Sequence, residues 1–211
     1  EMLFAGHPTL GSCMSWLHAG GQPRDPALVR QECAVGIIDI DVSGPHPAFA
    51  APDTQISQMP NEARTLRQAA MGLSDADIKS AVHLQNGPEW YLFELRTAEA
   101  VLAVDSSKTN WPTHAGTTLI GAHLEGAECD YEVRNIAPSS GMSEDPITGS
   151  LNAAIAKWLA QENRLKSDLI IAQGTQINRE GRVSFRRDGA DSTKIWVGGA
   201  VNVLIDGTVE I

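Results

Sequence analysis

A loop-to-helix corner occurs twice in this chain. The second copy reads Glu144-Asp145-Pro146-Ile147-Thr148-Gly149-Ser150 and runs into Leu151, Ala154, Ile155, Trp158 and Leu159, apolar residues at helical spacing. The first reads Gly6-His7-Pro8-Thr9-Leu10-Gly11-Ser12 and leads into Cys13-Met14-Ser15-Trp16-Leu17. Superposed on their shared x-Pro-x-x-Gly-Ser pattern, His7 falls on Asp145, Pro8 on Pro146, Gly11 on Gly149 and Ser12 on Ser150. Internal similarity of this kind predicts equivalent corners in two related lobes. Asp145, Thr148 and Ser150 are N-cap candidates, and the unpaired amides of a first helical turn favour an anion.

Between the corners the pattern alternates short strands with helices. Cys13 to Ala19 reads as a helix stopped by Gly20-Gly21, Glu32 to Val42 as one strand, and Ala48-Phe49-Ala50 as its return. Pro52 to Asn61 is polar and turn-rich, a linker between residues 1–58 and 59–211. Glu62 to Met71 predicts a helix ending at Gly72, and Ser74 caps a second short one over Asp75 to Ser80. Ala81 to Leu84, Trp90 to Leu95, Thr117 to Ala122 and Tyr131 to Ala137 read as strands, while periodicity leaves Glu99 to Val104 open. After a helix over Asn152 to Gln161 come four strands: Leu169 to Gln173, Val183 to Arg186, Lys194 to Val197 and Val201 to Ile205. The whole is an α+β plan.

The pairing of GHPTLGS with EDPITGS resembles the phenazine-biosynthesis PhzF-like proteins, relatives in fold of the diaminopimelate epimerases. Val133 to Pro138 through Gly141, Gln173-Gly174 with Arg182-Val183, and Trp196-Val197-Gly198-Gly199 are similar to that family as well. The resemblance implies two pseudo-symmetric lobes, each with antiparallel sheet wrapped around a central helix, and a cleft at the two corners. Family members are usually longer before GHPT, which implies an incomplete first lobe here. It also implies a homodimer and cofactor-independent isomerisation of a small carboxylate-bearing metabolite by proton transfer. The family's key glutamate precedes GHPT, and no residue of this sequence matches it.

Each corner residue has a plain reading beside the chemical one. Asp145 either accepts backbone amides at a helix entrance or takes a proton from substrate, and His7 is either a hydrogen-bonded loop residue or a second proton-handling group. Gly149 and Ser150, matched by Gly11 and Ser12, either turn and cap their helices or hold a substrate carboxylate on their amides. Glu144 is a solvated charge or a neighbour that tunes Asp145. Three readings follow: an isomerase accompanied by an upstream segment, a catalytically inactive small-molecule-binding protein that keeps the cleft, and an oligomeric structural protein.

Charge and spacing exclude other classes. With 26 acidic and 16 basic residues the formal charge is -10, which disfavours nucleic acid and anionic membrane as partners; Arg182, Arg186 and Arg187 form the one basic cluster of note. Three dispersed cysteines describe neither a disulfide framework nor a zinc site, and fit a reducing cytoplasm. Six histidines, His83, His114 and His123 among them, show no HExxH arrangement, so no metal is expected. Gly198-Gly199 lacks the strand-to-helix setting of a dinucleotide loop, and no P-loop or membrane-length apolar run is present.

Overall fold

The computed structural model describes residues 3–108, 116–137, 143–191 and 193–207. Pro138 to Gly141 and His114 lie outside them. The first corner is itself helical: α1 spans Gly6–His18, beginning at Gly6 and not at the expected Cys13. Pro8 causes no break because it lies in the first turn, where a missing N–H removes no helical bond.

The next stretch is a hairpin of β1 (Leu28–Cys33) and β2 (Gly36–Asp41), paired antiparallel from Leu28 with Asp41 to Cys33 with Gly36. The single strand expected over Glu32 to Val42 is therefore two, folded at Ala34-Val35, with Gly36 at φ 113°. β3 (Ala48–Ala50) returns on β2 as expected. The stretch read as a linker contains a strand, β4 (Gln55–Gln58). An edge strand pairs on one side only, so Ile56 against the core suffices and the remaining polar residues hide it from a composition reading.

α2 (Asn61–Met71) ends at Gly72 in the left-handed region, as the sequence predicts. The second short helix does not form. Asp77 instead accepts hydrogen bonds from the Ser74 backbone N–H (2.7 Å) and hydroxyl (2.6 Å), closing a turn, and β5 (Ile78–Gln85) begins directly after it. There follow β6 (Glu89–Leu95), α3 (Ala98–Ala103) capped by Thr97, β7 (Thr117–Ala122), β8 (Tyr131–Ile136) and the two-residue β9 (Glu144–Asp145). α4 (Gly149–Gln161) then leads to β10 (Leu169–Gln173), β11 (Gly181–Arg187) and β12 (Ile195–Gly198).

One sheet joins these strands in the order β1-β2-β3-β12-β11-β10-β8-β7-β6-β5-β4, with β9 attached to β8. Its ladders are antiparallel, as expected, except β6 with β7 and β8 with β10, which are parallel. The expected strand over Val201 to Ile205 enters no ladder among the described residues. Trp158 and Trp196 are buried, as core residues.

The two central helices are unequally wrapped. Ten of the thirteen residues of α4 are buried, against four of the thirteen in α1: Gly6, Thr9, Leu10 and Cys13. The first lobe is thus incomplete around its helix.

Away from the corners, buried Glu94 on β6 meets Arg164, Lys79 and Ser80. Burial pushes its carboxyl up, but hydrogen bonds from Arg164 and Lys79 and the charge of Arg164 outweigh this and hold it below its ordinary value. A lowered carboxylate stabilises the fold above its unfolded-state pKa, about 4.3, and loses that contribution as pH falls through the folded value. Glu94→Gln is therefore expected to be less stable than the parent at pH 7 and to converge on it below about pH 4 in chemical denaturation. A constant difference across that range would refute the linkage.

Candidate functional site

The corners meet through two glycines. A Cβ built on Gly149 would stand 2.6 Å from the His7 backbone N and 2.7 Å from Gly6 Cα, and one on Gly6 would stand 2.5 Å from the Gly149 carbonyl carbon. Backbone touches backbone, which only glycine permits. The helix entrances therefore superpose Gly6 on Gly149, and not Gly11 on Gly149 as the sequence pattern suggested. The reason is register: Pro8 lies inside the first turn of α1, whereas Pro146 precedes α4 and Asp145 belongs to β9.

Gly11 and Ser12 stand away from this contact. Both lie beyond the first turn of α1, where their N–H groups belong to the helical ladder, and Ser12 is exposed. A Cβ on Gly11 meets nothing within 4 Å. Opposite effects are expected from the two glycines. Gly11→Ala should raise stability by about 0.5–1 kcal/mol through helix propensity, whereas Gly149→Ala should lower it by about 1–3 kcal/mol or more through overpacking. Thermal unfolding of the two variants checks this; destabilisation by Gly11→Ala would contradict the open space around that position.

Neither helix entrance has a side-chain cap. Ala5 precedes α1 and has no side-chain acceptor, and Thr148 precedes α4 with its hydroxyl turned elsewhere. That hydroxyl donates to Asp145 Oδ2 (2.7 Å) while accepting from Asn135 Nδ2 (3.0 Å) and Gln173 Nε2 (3.1 Å). Gln173 Oε1 in turn accepts from the Thr148 N–H (3.2 Å) and from Asn152 Nδ2 (2.7 Å). A buried polar network thus fixes the Asp145 side chain and leaves the first-turn amides of Gly149 and Ser150 uncapped. Asp145 Oδ1 has no partner among the described residues.

Glu144, one residue earlier, points the other way. Its side chain is fully buried and takes three hydrogen bonds from Arg134, the shortest 2.8 Å, while Arg134 Nη1 donates to the carbonyls of Val101 (2.9 Å) and Val104 (2.7 Å). It is neither a solvated charge nor part of the site. Alternation along β9 separates the two acids, sending Glu144 into the fold and Asp145 to the corner.

A cavity of about 510 Å³ opens at the junction, with His7 and Gly149 in its wall. Its floor is apolar, from Leu10, Phe49, Ile147 and Val197. Gly198 and Gly199 line it too, as do His46 and Arg182, which the sequence did not mark as site residues. Asp145 and Ser150 do not line this cavity; Ser150 is buried, and its carbonyl accepts from Asn86 Nδ2 (2.7 Å). The stretch from Gln173 to Arg182 reaches the site by cradling the second corner: a Cβ on Gly174 (φ 91°) would stand 2.9 Å from the Pro146 carbonyl oxygen.

The basic cluster is paired: Arg186 with Asp41, Arg182 with Glu128 (3.2 Å), and Arg187 Nε on the Leu165 carbonyl (2.8 Å). His123 Nε2 lies 3.3 Å from Glu132, and His83 stacks on Tyr91. No group of metal-ligating residues is found among the described residues, and no helix there is long and apolar enough to cross a membrane.

Comparison with known proteins identifies the family and the fold. A family model described as phenazine biosynthesis-like protein matches residues 1–207. The chain is 27% identical over 228 residues to Antisense-enhancing sequence 1 of Schizosaccharomyces pombe, covering 98% of this chain and 75% of that one. It is 26% identical over 224 residues to trans-2,3-dihydro-3-hydroxyanthranilate isomerase of Pseudomonas chlororaphis, covering 99% and 75%. The solved PhzF-family structure from Enterococcus faecalis superposes with a TM-score of 0.73 at 18% identity, over 100% of this chain and 75% of that one.

Proposed function

We propose, for a chain that belongs to the phenazine biosynthesis-like protein family, a cofactor-independent isomerase that moves a proton on a small carboxylate-bearing metabolite. One observation carries the reading: two uncapped helix entrances abut at Gly6 and Gly149, with His7 in the first turn of one and, just before the other, a carboxylate held by Thr148. The uncapped amides of Gly149 and Ser150 hold the substrate carboxylate and stabilise the charge that develops on proton removal. Asp145 Oδ1 takes the proton from the activated carbon, breaking its C–H bond, His7 returns a proton to a second carbon of the conjugated system as the double bond shifts, and exchange with solvent resets both groups.

The test uses trans-2,3-dihydro-3-hydroxyanthranilate, the compound named for the Pseudomonas relatives, in deuterated water. Incorporation of one solvent deuterium on carbon, followed by mass spectrometry, is the expected result. Binding without incorporation would overturn turnover and leave the second reading, a binding protein that keeps the cleft. That reading draws on one specific feature, the incompletely wrapped α1.

A further inference from the structure

Gln173 ends β10 fully buried, and its amide uses every hydrogen-bonding position that it has. Oε1 accepts from the Thr148 N–H (3.2 Å) and Asn152 Nδ2 (2.7 Å), while Nε2 donates to the Asp145 carbonyl (3.1 Å) and to Thr148 Oγ1 (3.1 Å). Two of these partners are main-chain groups, one a donor only and the other an acceptor only, so the amide has a single orientation. Nε2 therefore offers a hydrogen to the Thr148 hydroxyl and cannot receive one. Asn135 Nδ2 (3.0 Å) offers a second, which leaves the hydroxyl proton one acceptor, Asp145 Oδ2 (2.7 Å). Donors are held on Thr148 and Gln173 even though Asn135 Oδ1 and Asn152 Oδ1 are thereby buried without a hydrogen-bond partner among the described residues.

We propose that Gln173 is a positioning residue for proton transfer, acting through Thr148 to keep Asp145 Oδ2 a hydrogen-bond acceptor and to make Oδ1 the oxygen that takes the proton. A proton on Oδ2 would face a hydroxyl whose two lone pairs already hold donors from Gln173 and Asn135, and whose own hydrogen has no other acceptor to turn to. Oδ1 meets no such opposition. When the substrate C–H bond breaks, its electron pair passes into the conjugated system and the O–H bond forms at Oδ1, with the Thr148 bond to Oδ2 unchanged. The same amide clasps the corner from Asp145 to Thr148 at both ends, by the first carbonyl and the last N–H, so the carboxylate holds its direction as its charge changes. The catalytic consequence rests on the proton-transfer role proposed above for Asp145; the order of the hydrogen bonds does not.

The Cγ resonance of Asp145 in carbon-labelled protein, identified by its loss in Asp145→Asn, reports the bond at Oδ2 without any turnover. It is expected to move in Thr148→Val and to stay in place in Thr148→Ser, which keeps the hydroxyl. Gln173→Met, similar in length but without the amide, should move it in the parent and leave it unmoved in the Thr148→Val background, the non-additivity of residues that act through one another. In the isomerisation assay Gln173→Met should lower kcat about tenfold to a hundredfold with KM unchanged. A resonance indifferent to Thr148→Val, or one that Gln173→Met moves equally in both backgrounds, overturns the proposal, as does an undiminished kcat in Gln173→Met. Should Gln173→Met not fold, the two Thr148 variants decide alone. If the parent shows no turnover, the resonances still decide whether Gln173 orders Asp145, and the isomerase reading fails separately.

Discussion

Glu144→Gln is expected to destabilise the protein by about 3–5 kcal/mol, the usual consequence of leaving one partner of a buried ion pair without the other. Arg134 is 1% exposed and its guanidinium is directed at Glu144 and the carbonyls of Val101 and Val104. The two carbonyls remain in the variant, but they offer dipoles where a full negative charge stood. For a chain of this size each kcal/mol moves the unfolding temperature by about 2–4 °C, so a drop of about 6 °C or more should be seen by calorimetry. Replacing both partners by apolar residues of similar volume should recover much of the loss, since desolvation of the pair then disappears with its attraction. A Glu144→Gln variant within about 1 kcal/mol of the parent would mean that the pair is not what ties β9 to β8 and α3.

This pair also shows where sequence reading stopped. The EDPITGS motif identified Asp145 and Glu144 together, and only strand alternation in β9 assigns them opposite duties. A two-residue strand is too short to reveal its period. Long periodic elements were legible: α2 with its Gly72 stop, β7, β8, β10 and most of α4 fall where the spacing places them. The failures were local competitions. Asp77 closing on Ser74 defeated a short helix, and β4 hid a single buried-side contact among polar residues. The motif pairing was legible as kinship but not as register, because Pro8 and Pro146 stand on opposite sides of their helix starts. Gln173, Asn135 and Asn152, which hold Thr148 and through it Asp145, carried no sequence signal as a group. They come from β8, α4 and β10, so only the fold assembles them. Val201 to Ile205 shows the converse case, in which a correct strand signal finds no ladder.

Asp145→Asn should separate chemistry from architecture at the corner. The amide keeps the size of the carboxylate and retains an oxygen that can accept the Thr148 hydroxyl, so the network through Asn135 and Gln173 survives. What it loses is the ability to take up a proton. In protein that turns over, the isomerisation rate is expected to fall about 10²–10⁴-fold, the usual contribution of a positioned general base. Under the proposed function substrate binding should change little, because the amides of Gly149 and Ser150, assigned there to the substrate carboxylate, are not touched by the substitution. Single-turnover kinetics and calorimetric titration of the same variant measure the two quantities independently. If Asp145 served only to order the helix entrance, the variant would keep its turnover or would lose binding and stability together, and either pattern would remove it from the proton-transfer step. Deuterium incorporation into substrate should fall in parallel with turnover, since both depend on the same abstraction at carbon.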